Sequence, residues 1–341
     1  MARRRITSYD VARAAGVSQT TVSFVLNQIA EANISDETRQ RVLAAAEELG
    51  YVPDAAARTL VRGRTQIIGV VVTTLDDPFI GALVQTIESA AHDQGYVVIL
   101  ASSNAIPERE IAAAKMLQSR RVDGVIVTSS RIGVLYQGHL EQPRVPVVLI
   151  NSLAEPSDEF IFSVGVDNRH GGYLATAHLI RKGHQRIAYV ASPPGRSDNR
   201  ERMAGYGQAL AEAGIGLDPS LVVRGTGGTD GGQRVLPLVL SLDDPPSAVF
   251  CYNDMTAIGL IDAARGAGLS LPQDLAIVGF DDIVFAQFCD PPLTTIAQPI
   301  AGLGRGAIEL LLALLSDEAH STAPGPNVTL KGQLIVRASS G

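Results

Sequence analysis

Four arginines, Arg3, Arg4, Arg5 and Arg13, oppose a single acid, Asp10, across residues 1–30, giving that segment a charge of +3. Clustered guanidinium groups suit phosphate, because each is permanently charged and presents a planar fork of donors. Residues 1–64 hold nine Arg against seven Asp and Glu, or +2, so the whole-chain charge of −7 leaves −9 for residues 65–341. A basic head on an acidic body is the asymmetry expected when one module alone meets nucleic acid. A second chemistry is suggested by Gly225-Thr226-Gly227, which follows a strand pattern and precedes a helix, as a dinucleotide-binding turn does. Its third glycine falls one residue late, at Gly231. Neither a G-x-S-x-G elbow nor a Walker lysine motif nor a zinc-type His/Cys cluster occurs, and the six His are scattered; His184, after Gly183, reads as support for a turn. The expectation is therefore a protein that is not an enzyme and needs neither cofactor nor metal.

Cys251 and Cys289 are too few for a disulfide framework and sit in apolar or aromatic surroundings, which favours a reduced compartment. The Met-Ala-Arg-Arg-Arg start is not followed by an apolar stretch, and no run of about 18 apolar residues occurs. A cytoplasmic chain without membrane contact is expected.

The elements that must carry these groups fall into three registers. With 341 residues, 46% apolar and 18% charged, the chain suits a small module plus a large α/β unit. Residues 7–50 carry helix signals throughout. Thr7 or Ser8 caps a helix to about Ala15 with Asp10 in its first turn, Gly16 permits a reversal, and Ser18 caps a helix over Gln19–Leu26. Ser35 caps a third helix that ends at Leu49 with Gly50 as its stop. Ala12 and Gly16 let two helices cross closely with Val22 between them, although spacing alone also admits a generic three-helix bundle. Tyr51-Val52-Pro53 then breaks the helix, and Asp54 caps a short segment, Ala55 to Val61, ended by Gly63. Seven or eight residues make no stable helix alone in water, so this one should fold only against a partner.

From Ile67 onward, short apolar runs alternate with amphipathic helices. Strands are expected at Ile67–Val72, Tyr96–Leu100, Val125–Val127 and Val147–Ile150, with helices at Phe79–Gln94 and Ile111–Ser119. After residue 166 the rhythm repeats, with strands at Ile187–Ala191, Leu221–Val223, Ala248–Cys251 and Leu275–Val278. Helices run to about Lys182, from Met203 to Ala213, and from Met255 to Ala267; Leu334 to Arg337 reads as a late strand. Two successive β-α-β runs imply two doubly wound parallel sheets, with ligands bound beyond the carboxyl ends of the strands.

Tyr9-Asp10-Val11-Ala12-Arg13-Ala14-Ala15-Gly16-Val17-Ser18, Thr21-Val22-Ser23 and Asn27 resemble the head of the lactose/galactose repressor (LacI/GalR) family. So do Ser35 through Gly50, Tyr51-Val52-Pro53 and Ala56-Ala57-Arg58-Thr59-Leu60. In the body, Asp77-Pro78-Phe79, Arg121-Val122-Asp123-Gly124, Asn253-Asp254, Val278-Gly279-Phe280-Asp281 and Pro292-Leu293-Thr294-Thr295 match the same family in order. The resemblance implies an all-α helix-turn-helix head (1–52), a hinge helix and linker (53–64), and a two-lobed periplasmic-binding-protein-like effector and dimerisation domain (65–341). Its first lobe spans about 65–165 plus 293–323, its second about 166–292 plus 324–341.

By that resemblance the protein is a homodimeric transcriptional regulator of near-palindromic double-stranded operator DNA, responding to a small, sugar-like effector. Gln19 and Thr20 are placed to read bases, since Gln pairs bidentately with adenine. Ser18, Thr21, Ser23 and Asn27 are placed near phosphates, Tyr9 and Ser35 belong to the same DNA-binding set, Leu60 is placed to wedge into the minor groove, and Ala57 to pack hinge against hinge. Phe24 stands where many relatives carry Arg; it either packs inward or meets a thymine methyl. Asp54 departs from the common Asn and brings a negative charge near DNA. Effector positions map onto Phe79, Arg196, Asp198, Arg202, Asn253 and Asp281, a set rich in directional hydrogen-bonding groups. The segment Gly225 to Gly232 lacks the aromatic that relatives often stack on the ligand. The alternative, a transport-type solute-binding protein, shares the two lobes but needs an export signal and has no DNA-binding head. No leucine heptads follow Arg337, which favours a dimer over a tail-mediated tetramer.

Overall fold

Thr7 and Asp10 begin the head by capping each other: the Thr7 amide donates to the Asp10 carboxylate at 3.0 Å, and the Asp10 amide donates back to the Thr7 hydroxyl. This starts α1 (Ser8–Ala15), which Gly16 closes in the left-handed region at φ 66°. Ser18 accepts from the Thr21 amide to start α2 (Gln19–Leu26), and Ser35 accepts from that of Thr38 to start α3 (Asp36–Glu48). Val11, Ala12, Val22, Val25 and Val42 fill the space between the three helices, so the apolar stripes read from the sequence meet in one core. The structure, a computed structural model, describes residues 6–27, 33–52, 63–130, 145–152, 161–194, 196–316 and 327–341. The chain divides into two compact units, Met1–Thr65 and Gln66–Gly341.

In the larger unit, β1 (Ile67–Val72), β2 (Val97–Ser102), β3 (Gly124–Thr128), β4 (Val147–Ile150) and β5 (Ile161–Val166) are flanked by α4 (Pro78–Asp93) and α5 (Pro107–Ser119). The second run holds α6 (Asn168–Arg181), β6 (Ile187–Ala191), α7 (Ser197–Glu212), β7 (Val222–Arg224), α8 (Thr229–Leu240), β8 (Ala248–Cys251), α9 (Asp254–Gly266) and β9 (Ala276–Val278). The chain then forms β10 (Thr295–Ala297), α10 (Ile300–Leu315), β11 (Asn327–Leu330) and β12 (Gln333–Ile335). One sheet has the order β11-β5-β4-β3-β1-β2 and the other β7-β6-β8-β9, and every pairing within them is parallel. Near-continuous Val, Ile and Leu in β1, β3 and β4, and the wholly buried Ala-Val-Phe-Cys of β8, fit strands covered on both faces. The architecture is a helix-turn-helix head and a two-lobed α/β body with two doubly wound parallel sheets, as expected.

The lobe bounds differ from those expected at the two late crossings. Thr295–Ala297 pairs antiparallel with Gln333–Ile335, and Thr294 bridges Val278, so residues 294–297 extend the second lobe. Asn327–Leu330 joins the first sheet, pairing with Ser163 to Val166 and covering the edge of β5. Among the described residues the chain therefore passes between lobes after β5, after β10 and after β11. Within the second lobe α6 and α7 cross backbone to backbone. A Cβ at Gly172 would lie 2.2 Å from the Arg202 carbonyl oxygen, and one at Gly205 would lie 2.0 Å from that of Arg169. Only glycine permits this approach, which carries Arg202 into the gap between the lobes.

Candidate functional site

In the head, α2 buries Val22 and Val25 and leaves Gln19, Thr20 and Phe24 exposed, with Ser23 half-buried beside them. These positions share one face at helical spacing. Phe24 is 36% exposed and lies outside the head core, whose interior is filled by aliphatic side chains. The Gln19 amide donates to the Ser8 hydroxyl at 2.8 Å, which holds it at the N-terminal turn of the helix. Ser18 caps α2 and shares a 2.8 Å hydrogen bond with the Thr21 hydroxyl; Asn27 donates to the Ser23 hydroxyl at 3.1 Å. Tyr9 is exposed on α1, and Ser35 donates to the Thr38 hydroxyl at the start of α3. Ala57 and Leu60, with the whole segment 54–61, lie outside the described residues.

The carboxyl ends of the two sheets face a cleft of about 360 Å³, and Phe79, Arg196, Asp198, Arg202, Asn253 and Asp281 all lie on its walls. Phe79 follows Asp77, whose carboxylate accepts from the Phe79 amide at 2.9 Å to cap α4; its ring belongs to both the first-lobe core and the cleft wall. Arg196 and Asp198 form a fork at the start of α7, with Nε at 3.0 and 3.2 Å from the two carboxylate oxygens. Tyr252 donates its hydroxyl to the same carboxylate at 2.6 Å. Burial pushes Asp198 up, but the adjacent Arg196 guanidinium overrides it and holds the carboxyl well below the usual range.

Arg202 is fully buried. Its Nε donates to Asn168 Oδ1 at 2.9 Å, Nη1 donates to the Tyr252 carbonyl, and its guanidinium lies 3.6 Å from the centre of the Phe280 ring. Nη1 also lies 3.9 Å from Asp281 Oδ1. Burial raises the Asp281 carboxyl, Arg202 opposes that rise, and the neighbouring Asp254 and Asp77 reinforce it. Asn253 spends its side chain on the protein: Oδ1 accepts from the Thr256 amide and hydroxyl, and Nδ2 donates to the Gly227 carbonyl at 2.9 Å. It thereby pins the glycine-rich loop against α9.

Three residues on these walls escaped the sequence reading. Asn151, just after β4, donates to Gln298 Oε1 at 2.9 Å, and Gln298 donates to Asp281 at 2.6 Å, linking both lobes through a crossing strand. Tyr252 follows β8 directly. The rule that ligands sit beyond strand ends marks Asn151 and Tyr252, whereas nothing in the pattern around Gln298 distinguishes it. Thr226, Gly227 and Gly228 form the wall where the sequence offers no aromatic, and among the described residues the rings at the cleft are those of Phe79 and Tyr252.

Residues 7–54 match the model of bacterial regulatory proteins of the lacI family, and residues 176–340 match that of a periplasmic binding protein-like domain. The chain is 36% identical over 315 residues to the HTH-type transcriptional repressor PurR of Vibrio atlanticus (strain LGP32), covering 91% of this chain and 92% of that protein. It is 35% identical over 337 residues to the HTH-type transcriptional repressor CytR of Escherichia coli (strain K12), covering 98% and 96%. Among solved structures, the lac repressor dimer bound to operator and the anti-inducer ONPF superposes with a TM-score of 0.84 at 28% identity over 99% of each chain. A complex of the transcriptional regulator CelR with cellobiose gives 0.72 at 32% identity over 98% of this chain and 100% of that one. With such repressors at 35–36% identity over 91–98% of its length, the chain belongs to the lacI family of bacterial regulatory proteins.

Proposed function

We propose that this protein is a transcriptional repressor, not an enzyme, that binds near-palindromic operator DNA as a homodimer in the cytoplasm and changes operator affinity when a small, sugar-like effector enters the cleft. The observation that carries this is one chain joining a helix whose outward face offers Gln19, Thr20 and Phe24 to a polar cleft built by two lobes. The lac repressor dimer holding operator and the CelR complex holding cellobiose are what a regulator of this kind looks like when occupied. Gln19 and Thr20 read bases, Phe24 meets a thymine methyl, and Tyr9, Ser18, Thr21, Ser23, Asn27 and Ser35 set the register on phosphates. Ala57 and Leu60 act at the hinge. In the cleft, Phe79 offers an apolar face, while Arg202 and Asp281, 3.9 Å apart, offer a guanidinium and a carboxyl group to ligand hydroxyls.

Selection of operators from a randomised duplex pool, followed by thermal melts with sugars and nucleosides, tests this reading. A symmetric consensus is expected, together with a ligand that raises stability by about 2.7 kcal/mol at 100 times its dissociation constant and alters operator affinity. A transport-type solute-binding protein would show the thermal stabilisation and no dependence on duplex sequence.

A further inference from the structure

The charges around the cleft are unevenly spent. Among the described residues, Asp76, Asp77, Asp198, Asp230 and Asp281 line it against Arg196 and Arg202 alone. Arg234, 3.5 Å from Asp230, offsets one of these acids from outside the lining. Both lining cations are already committed. Arg202 donates to Asn168 and to the Tyr252 carbonyl and faces Asp281. Arg196 turns Nε and Nη2 onto Asp198. Asp198 in turn is saturated: besides Arg196 it accepts the Tyr252 hydroxyl at 2.6 Å and the Asn199 amide at 2.7 Å, and it is 3% exposed. A carboxylate holding that many donors has little capacity left for a ligand, so its effect on recognition passes through Arg196.

We infer that Asp198 sets the charge specificity of the cleft: by occupying Arg196 it withdraws an anchor for anions, so the site takes an uncharged, hydroxyl-rich molecule and rejects the phosphorylated form. This rests on the reading of the cleft as the effector site. A phosphate entering the wild-type cleft must either leave Arg196 paired and gain no cation, or break the fork and strand Asp198 in a buried position. It also meets Asp76 and Asp77, which form no close ion pair among the described residues, although Arg196 and Arg202 act on Asp77 from farther off. Neutral hydroxyls meet no such penalty, since they donate to Asp77 and Asp281 and accept from donors left on the guanidiniums.

The test uses the full chain and inorganic phosphate, titrated by calorimetry into wild type, Asp198→Asn, and Asp198→Asn combined with Arg196→Gln. Freed of its partner, Arg196 should tighten phosphate binding by about 10- to 100-fold in the single variant, the value of one charge-assisted hydrogen-bonded anchor. The double variant should return to the wild-type isotherm, which also subtracts any phosphate held by the arginines of the head. Equal phosphate affinity in wild type and Asp198→Asn, or a gain that persists without Arg196, overturns the inference. Asp198→Ser serves the same comparison if the Asn variant does not fold. A second arm compares D-glucose with glucose 6-phosphate and cytidine with cytidine 5′-monophosphate on the wild type. The neutral member of a pair should bind at least about tenfold more tightly. A phosphate ester that binds as well as its parent refutes the inference, whereas failure of all four counts against the effector reading and leaves the phosphate arm to decide the role of Asp198.

Discussion

Replacing Arg202 with Met keeps an unbranched apolar stem and removes the guanidinium and its charge, which probes how the second lobe tolerates an acid in its cleft wall. In the wild type the guanidinium satisfies Asn168 and the Tyr252 carbonyl and lies 3.9 Å from Asp281, all within a buried layer. Breaking a buried pair from one side costs about 3–5 kcal/mol, because the remaining charge stays desolvated. The cost should depend on pH. Burial already pushes the Asp281 carboxyl up and Arg202 opposes that rise, so loss of Arg202 raises it further. The folded variant then holds a proton that the unfolded chain, with its ordinary value of 3.8, has released. Stability lost should stay at about 1–3 kcal/mol for the unpaired acceptors near about pH 5, where both proteins hold the proton, and should grow towards the full 3–5 kcal/mol only as pH, taken up to about 8, rises through the wild type's own raised value. The chain has no Trp, so urea melts are best followed by circular dichroism at both pH values. A loss below about 1 kcal/mol near pH 8, or one that shrinks as pH rises, would refute the view of Arg202 as the counter-ion of Asp281.

Phe24→Ala should cost the head well under the about 3–5 kcal/mol of a core phenylalanine while weakening operator binding, and Phe24→Arg should move the selected half-site towards guanine; an unchanged consensus from a folded Arg variant counts against a base-reading ring. Gly205→Ala should force α6 and α7 apart, since its Cβ would sit 2.0 Å from the Arg169 carbonyl oxygen, and should lower both the melting temperature and effector affinity in calorimetry. Burial pushes Asp254 up to about 7, so the folded chain keeps a proton between about pH 4 and 7 and loses stability as pH rises through that window; Asp254→Asn should flatten this part of the pH–stability curve.

The sequence was most legible where burial and period coincide. Ile67–Val72, Val147–Ile150, Ile187–Ala191 and Ala248–Cys251 are strands at the expected bounds, because apolar runs covered on both faces have few other uses. The start of α7 departs from the sequence pattern for a reason that bears on function. The sequence pattern suggested a helix from Met203, whereas the helix begins at Ser197. Its first turns, Ser-Asp-Asn-Arg-Glu-Arg, show no apolar period, yet Asp198 and Arg202 are buried because they face the cleft and partner one another's neighbours. A hydrophobicity pattern therefore omits a helical turn just where it carries the site. Asp198 and Arg202 were marked only through family resemblance. The helix Ile300–Leu315 and the strands Ile161–Val166 and Asn327–Leu330 were not anticipated; the last is four residues long with alternating exposure at a sheet edge, too short for a period to declare itself.

The seating of Asn327–Leu330 beside Ile161–Val166 has a consequence for biosynthesis. The head needs only contacts within the first fifty or so residues, so a ribosome can release it ready to fold long before the body exists. The first lobe has no such freedom. Its sheet waits for a strand made more than 150 residues after the neighbour it pairs with, and until then β5 presents an unpaired edge that another nascent chain can occupy. Premature stops or slow codons between about residues 166 and 327 should therefore produce aggregation of chains that already carry a competent DNA-binding head, a dominant-negative hazard that pulse-labelled solubility measurements would reveal.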